Sequence, residues 1–466
     1  MPPFIAFIIW LACLVALLIF DPAKDTKSSW ALWIPTIWFF IVATRLPSQW
    51  ISMEVASQAQ AYEEGNPLDR TIGLLLILIA IGILTSRSFK WGVFVSHNPT
   101  LILFLSFALI STFWSDFPFV ALKRWIKDLG QYLVILIVLS ERQPIIAVST
   151  VLRRLSYLSI PLAIVLIKYF PDIGEQFDTW SGAKMYVGPT TSKNMLGLLC
   201  LVGGMYFVWD LVRRWPDRKG GRTKRILFVD AAFLAMILWV LRLAASTTSD
   251  VCLALACLII VGGRSKVIRH RPWLLKWLIP GLFCLYLFLS FGLGMNGSLA
   301  QALGKDATLT DRTTIWATLL GMHTNPLIGV GYQSFWLGPR LQWFWENAGV
   351  GHINEAHNGY LELYLELGLA GILLLGIFLM ASYRNIWKRI RLSRDFAILG
   401  LALWLILVFY NMSESAFNNS LLWLTFLMGA ISMPERIRHR VATGTTRRAL
   451  NPESLTVEIG SMQREA

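Results

Sequence analysis

Long apolar runs recur along this chain from residue 4 to residue 433, and they constrain its fold more than any other feature. About 20 apolar residues carry a helix across the hydrocarbon core of a bilayer, fewer when flanking side chains snorkel. Thirteen candidate spans follow, at 4–20, 30–46, 71–86, 99–115, 125–140, 152–170, 194–211, 227–244, 249–263, 273–294, 366–383, 396–412 and 419–433. Each is continuously apolar instead of alternating, so helices are expected and a β-barrel is not. The fold class is therefore all-α: a polytopic integral membrane protein with about 12–13 transmembrane helices. Composition agrees, because only 15% of residues are charged, against roughly 25% in soluble proteins. That excludes a disordered chain and a soluble enzyme. The five cysteines all lie inside apolar runs and form no Cys-x-x-Cys pair, so neither a zinc site, a redox site nor a disulfide scaffold is expected. The Met-Pro-Pro start lacks the basic region of a signal peptide, so the first run is expected to stay as a helix.

The formal charge of +14 invites a nucleic-acid reading. Yet the cations sit in short gaps between apolar runs, with no basic face on a soluble domain, so no nucleic-acid partner is expected. Alternating the gaps between two sides places 29 Lys and Arg with 10 acids on one side, and 12 with 16 acids on the other. The cation-rich side is the cytoplasmic one by the positive-inside rule, which puts the C-terminus in the cytoplasm. Four regions result: helices with short loops over 1–294, a large outer loop at 295–365, the last spans over 366–433, and a polar tail at 434–466 expected to be disordered. No repeat and no inverted pair of broken helices is visible, which weakens a transporter reading.

The long outer loop carries the chemistry. In TLTDRTTIWATLLGMHT (308–324), Arg312, Trp316, Leu319 and His323 share one helical face. The segment NPLIGVGYQSFW (325–336) holds a Gly-rich turn that lets backbone approach closely. GHINEAHNGYLELYLELG (351–368) then supplies His352, Glu355 and His357 before a helix that enters the eleventh span, with Asn358 or His357 near its start. The spacing of His352, Glu355 and His357 matches no established ligand motif, so no metal is expected. Arg312 with Trp316 also suits an interfacial anchor, and His357 a helix cap. Trp343 and Trp345 suit a headgroup belt or stacking on sugar rings. Outer cations run against the charge trend: Lys123, Arg124 and Lys127 beside the fifth span, Lys193 beside the seventh and Arg242 near the end of the eighth. They suit an anionic lipid-linked ligand, above all a pyrophosphate. Pairing with Asp116, Asp128, Asp178 or Asp250 is the alternative.

With these residues in view, DR-x-x-IW (311–316), NPLIGVGYQSFW (325–336) and AHNGYLELYLELGLAG (356–371) resemble the signature block of the O-antigen ligase and polymerase superfamily, most closely its ExoQ-type exopolysaccharide production proteins. The likeness continues upstream through LPSQW (46–50), EGNPLDR (64–70), WSDFP (114–118), ALKRWIKDLG (121–130), IKYFPDIG (167–174) and SKNMLG (192–197). The resemblance implies a metal-independent, inverting glycosyltransferase in the bacterial inner membrane, facing the periplasm. Its donor would be an undecaprenyl-pyrophosphate-linked glycan and its acceptor another lipid-linked glycan or the lipid A core. A flippase and a chain-length regulator are implied partners, and no cofactor is. The family's functional Arg and His map to Arg312 and His357. Its second Arg, in a Ser-x-Ser-Arg stretch, has no counterpart after Ser246-Thr-Thr-Ser-Asp, leaving Arg242 or Lys193 as substitutes.

Residue chemistry fits these roles. Arg312 and the Lys/Arg cluster suit the leaving group's charge. His357, ordinarily titrating near 6.5, suits proton removal from an acceptor hydroxyl. Glu362 and Glu366 suit orienting His357 or lining a polar path, and Trp316, Tyr332, Trp336 and Tyr360 suit the walls of a glycan channel. Polymerisation of repeat units is the first reading, ligation to lipid A core the second and transport without chemistry the third.

Overall fold

The computed structural model describes residues 1–25, 28–51, 65–177, 182–288, 312–349 and 352–433. Thr310, Asp311, Asp178, the first part of the long loop and the tail from 434 lie outside the described residues. The chain divides into two compact units. The larger comprises Met1–Phe89 with Thr100–Ile431; the smaller comprises Lys90–Pro99 with the chain from Ser432. In the smaller unit, Asn98 exchanges two hydrogen bonds with the backbone of Ser432, at 2.8 and 2.9 Å.

A helix falls on every one of the thirteen apolar runs. They are α1 (Pro3–Phe20), α2 (Trp33–Ala43), α3 (Pro67–Ser86), α4 (Pro99–Ile110), α5 (Pro118–Leu139), α6 (Pro144–Tyr169), α7 (Lys193–Arg214), α8 (Gly221–Ala244), α9 (Thr247–Gly262) and α10 (Trp273–Leu287). After the long loop's own helices, α11 (Arg312–Gly321) and α12 (Gly338–Asn347), come α13 (Gly359–Lys388), α14 (Arg394–Tyr410) and α15 (Leu421–Ala430). Among the described residues six helices are by themselves long and apolar enough to cross a membrane: α1, α3, α6, α7, α8 and α13. The chain is an all-α polytopic membrane protein; the small exception among the described residues is a hairpin of Glu175–Phe177 with Lys184–Tyr186.

Helix starts follow local chemistry. Proline occupies the first turn of α1, α3, α5 and α6, where its missing N–H costs nothing. Ser192 and Ser420 cap α7 and α15 through their hydroxyls. The centre is built from α7, α14 and α15, whose faces are buried almost all round. By contrast, α1 and α3 leave rows of large apolar residues exposed, such as Ile5, Ile8, Leu11, Leu74, Leu75 and Leu78, as a lipid-facing surface requires.

Ion pairs sort the gaps between helices. Arg87 pairs with Glu141, Arg264 with Asp395, and Arg153 with Asp210, all within the cation-rich set of gaps, and Arg153 also reaches Asp230 inside the eighth span. Arg312 pairs with Glu414, Arg340 with Asp116 and Lys184 with Glu175, all within the other set. Among the described residues no ion pair joins the two sets, as the alternation read from sequence requires. Arg153 is the best buried cation: its guanidinium lies 2.5 Å from Asp210 and 2.8 Å from Asp230, and donates to Tyr157 and Tyr206 at 3.0 Å each. Removing one member of such a buried set costs about 3–5 kcal/mol, because its partners keep their charge without compensation. Arg153→Leu is expected to lower stability by about that much in thermal melts of the detergent-solubilised protein, and adding Asp230→Asn to recover part of the loss.

Candidate functional site

The long outer loop has its own apolar core. Ile315 and Leu319 of α11, Leu341 and Phe344 of α12, and Phe335, Trp336, Ala356 and Leu365 pack together. Trp336 meets Phe335 and Phe344 edge-on, with ring centroids 5.0 and 5.3 Å apart. That core fixes α11 against the segment before α13. Trp316 Nε1 donates to the carbonyl of Ala356 at 2.9 Å, one residue before His357. The helical face read from sequence is realised as Arg312, Ile315, Trp316 and Leu319, whereas His323 falls beyond the end of α11 and is exposed.

The close backbone approach expected of NPLIGVG takes a specific form. Gly368 adopts φ +64°, ψ −165°, which breaks α13 one residue past Leu367. A helix running unbroken into the eleventh span was expected; the break exists because the turn docks into it. Leu369 and Ala370 donate backbone N–H groups to Pro326 and Leu327, while Val330 and Gly331 donate to Leu365 and Glu366, at 2.9–3.1 Å. A Cβ on Gly368 would lie 2.3 Å from the Leu327 carbonyl carbon, so only glycine permits the contact.

Three consecutive residues then set the site. His357 lies in the left-handed region at φ +48°, a strained conformation for a residue with a Cβ. Asn358 caps α13, its side-chain oxygen accepting from Tyr360 and Leu361 N–H at 3.0 and 3.1 Å. Gly359 N–H donates to the carbonyls of Asn411 and Glu414, at 2.9 and 3.0 Å. A Cβ on Gly359 would come within 2.0 Å of Asn411 Oδ1, so glycine lets the 411–414 segment seat directly on the helix start.

That seating brings Glu414 to the centre of the site. Arg312 donates to Glu414 Oε1 at 2.6 Å, and both side chains are only 6% exposed. Asn194, beside Lys193 at the start of α7, donates to both Glu414 oxygens at 3.0 and 3.1 Å. His357 Nδ1 lies 3.0 Å from Glu355 and 3.5 Å from Glu414, within ion-pair distance but without hydrogen-bond alignment to either. Burial alone would lower the His357 pKa; the carboxylates of Glu355 and Glu414 outweigh it and push it up to about 10. Burial would raise Glu355, yet the neighbouring His357 and Arg312 hold its carboxyl below the usual range. The site is thus two cations interleaved with two anions.

Arg312 and His357, drawn from sequence, therefore share one carboxylate, and the other candidates are distributed around them. Glu362 accepts from Ala356 N–H at 2.8 Å and from Trp336 Nε1, holding the turn that carries His357. Tyr360 donates to the Val408 carbonyl at 3.0 Å and stacks edge-on with Phe417. Tyr332 is buried and donates to Asp128 at 2.9 Å, in a separate cluster with Gln333 and Asn418. Arg124 donates to the Gln333 carbonyl in that same cluster. Asp128 is thus satisfied by neutral donors instead of a cation. Lys123, Lys127 and Arg242 are exposed and Lys193 is half-buried. Among the described residues none of these four forms an ion pair with the Arg312–His357 group. Glu414 was not singled out from sequence; its signal is a lone acid in the polar link between the last two spans, with no Lys or Arg beside it.

Glu355, His357 and Glu414 present ligand atoms within 4.8 Å of one another, the spacing of a metal site. His352, weighed with Glu355 and His357 from sequence, instead packs its ring on Trp345. Glu414 also receives Arg312 and Asn194, whose contacts a bound cation would have to share.

Residues 185–376 match the family model described as O-antigen ligase, and that segment holds both Arg312 and His357. Over 306 residues the chain is 29% identical to the exopolysaccharide production protein ExoQ of Rhizobium meliloti (strain 1021), covering 63% of this chain. The two matches support an O-antigen ligase, ExoQ-type assignment. The alignment spans 66% of the ExoQ protein's own length, just under two thirds. Glu414 lies beyond the matched family segment.

The charge pattern has a pH signature. A His whose pKa rises from about 6.5 to about 10 on folding stabilises fully below the lower value, and loses that contribution as pH rises through the higher one. Thermal melts from pH 7 to about 11 are expected to show an alkaline loss of stability in the wild type that is smaller in His357→Gln. Equal losses in both proteins would contradict the placement of His357 between two carboxylates.

Proposed function

We propose that this protein is a membrane glycosyltransferase that takes a glycan from an undecaprenyl-pyrophosphate carrier on the periplasmic face and adds it to another lipid-linked glycan, extending an exopolysaccharide. The observation that carries the reading is the ion-pair group of Arg312, Glu414, His357 and Glu355 at the base of the outer loop. The O-antigen ligase match and the name of the ExoQ relative support the substrate class. Ligation to lipid A core shares the same donor chemistry and differs only in the acceptor.

In the proposed reaction the acceptor hydroxyl oxygen attacks the anomeric carbon of the donor sugar from the face opposite the pyrophosphate. A new C–O bond forms as the bond to the pyrophosphate oxygen breaks, its electron pair stays on the phosphate, and the anomeric configuration inverts. Among the described residues Arg312 bonds Glu414 through Nη2, and in the proposed reaction its other guanidinium nitrogens meet the leaving oxygen. His357, held as imidazolium by its neighbours, adds a second cation. Fixed cations in a water-poor site are worth more than in water and need no reorganisation during the reaction. The hydroxyl proton passes to Glu355, the more exposed of the two carboxylates and the one not engaged by Arg312 and Asn194. This reverses the simpler assignment of His357 as base, because a group with a pKa near 10 is already protonated at neutral pH. Glu414 positions both cations without touching substrate.

Purified full-length protein with an undecaprenyl-pyrophosphate glycan and candidate acceptors tests the reading by product size. Arg312→Ala and His357→Ala are each expected to lower kcat by about 100-fold or more. Unchanged product in both variants would sink the assignment. The rate should fall at alkaline pH as His357 deprotonates near 10; a rise through that range would instead make it the base. Turnover should persist in EDTA, and loss restored by a divalent cation would show that Glu355, His357 and Glu414 hold a metal.

A further inference from the structure

Away from this site, a groove of about 1020 Å³ opens between the C-terminal end of α1 and the first turns of α8. It lies at the opposite end of the helices from Arg312. Asn194, at the start of α7, reaches Glu414, whereas Asp210, further along α7, sits in the Arg153 cluster with Asp230 of α8. At 1.5 Å per residue those two positions are about 24 Å apart. The groove is lined by Phe20 and Pro22 from one side and by Arg222, Lys224, Arg225 and Phe228 from the other.

Three features define what it accepts. First, Arg222 donates to the carbonyls of Pro22 and Lys24, at 2.8 and 3.3 Å, and so pins the chain after α1 to α8 and gives the groove a fixed wall. Second, Lys224 and Arg225 are exposed, and their side chains form no hydrogen bond or ion pair among the described residues. The acids at the adjoining helix ends cannot neutralise them, because Asp21 and Asp230 are turned towards Arg153. Third, Phe20 and Phe228 are 78% and 77% exposed on helices that cross the bilayer. A soluble anion would satisfy the two cations but leave both rings in contact with water. A ligand with an anionic head and apolar tails satisfies all three.

We propose that this groove binds an anionic phospholipid of the cytoplasmic leaflet, its phosphate held by Lys224 and Arg225 and its acyl chains lying along Phe20 and Phe228. The placement in that leaflet rests on the orientation assigned from the Lys and Arg distribution; the lipid's charge and the residues that hold it do not depend on the glycosyl-transfer reading. The bound lipid ties α1, otherwise packed along one side only, to the helix that carries Asp230.

Native mass spectrometry of the full chain in a neutral detergent tests this with phosphatidylglycerol, phosphatidylcholine, or inorganic phosphate as the added probe. Phosphatidylglycerol is expected to be retained and phosphatidylcholine to wash out. The double variant Lys224→Gln/Arg225→Gln should weaken phosphatidylglycerol binding by about 30-fold, from two lost cations at a membrane surface. The variant Lys266→Gln/Arg269→Gln removes the same charge from an exposed stretch on the same side and should leave binding unchanged. Equal retention of both lipids, equal loss in both double variants, or displacement of phosphatidylglycerol by millimolar phosphate would each overturn the proposal. A melting temperature for the Lys224/Arg225 variant matching the wild type in lipid-free detergent separates lost binding from lost fold.

Discussion

A charge among apolar helices has to find its partner at its own depth, because the surrounding lipid offers neither water nor counter-ion. The main charged clusters among the described residues obey that constraint. Arg153 gathers Asp210 and Asp230 at one level, and Arg312 gathers Glu414 at another. Asp128, with no cation bonded to it, accepts from Tyr332, Gln333 and Asn418 instead. Among the described residues, both intramembrane acids, Asp128 and Asp230, are committed to fixed partners, unlike the loose mid-span charge a transport pathway would use. The polar groups stand at the helix ends, which is where chemistry on a membrane-anchored substrate needs them.

The spans were legible because apolar length is a one-dimensional signal; all thirteen runs carry helices. The pair at the heart of the site was half legible. Arg312 stood out on a helical face of the long loop and His357 as a titratable side chain at a helix start, and the family resemblance pointed to the same two. Glu414 was invisible because nothing in the chain marks that the link after α14 folds back onto Gly359. That contact depends on the missing side chain of a glycine and on two backbone carbonyls, neither of which leaves a pattern in sequence. The break at Gly368 was missed for the same reason: LELGLAG reads as helix until another segment's backbone occupies the gap.

The aromatic and acidic candidates show a different limit. Trp316, Trp336, Tyr360 and Glu362 have the composition of a sugar-binding wall, yet each has a hydrogen bond that holds the loop in place. Residue type identifies what a side chain can bind; only its neighbours decide what it does bind. The same holds for His357. Its isolated chemistry is that of a base near neutral pH, and two adjacent carboxylates turn it into a standing cation.

The two buried ion-pair groups also constrain each other through α7. Asn194 at one end of that helix supports Glu414, and Asp210 towards the other end is locked to Arg153, Arg213 and Arg214. Because α7 is buried almost all round, its packing against α8 and α9 already resists sliding along its axis, and the polar contacts at its two ends add to that. A slide of one turn, about 5.4 Å, would remove Asn194 from Glu414 and part Asp210 from Arg153, while Arg213 and Arg214, on α7 themselves, would move with it. The far cluster therefore adds a polar lock to the packing that sets the axial position of α7. That position decides whether Glu414 is held with its oxygens facing Arg312 and His357, so a group remote from the substrate fixes the geometry of the cations proposed to meet it.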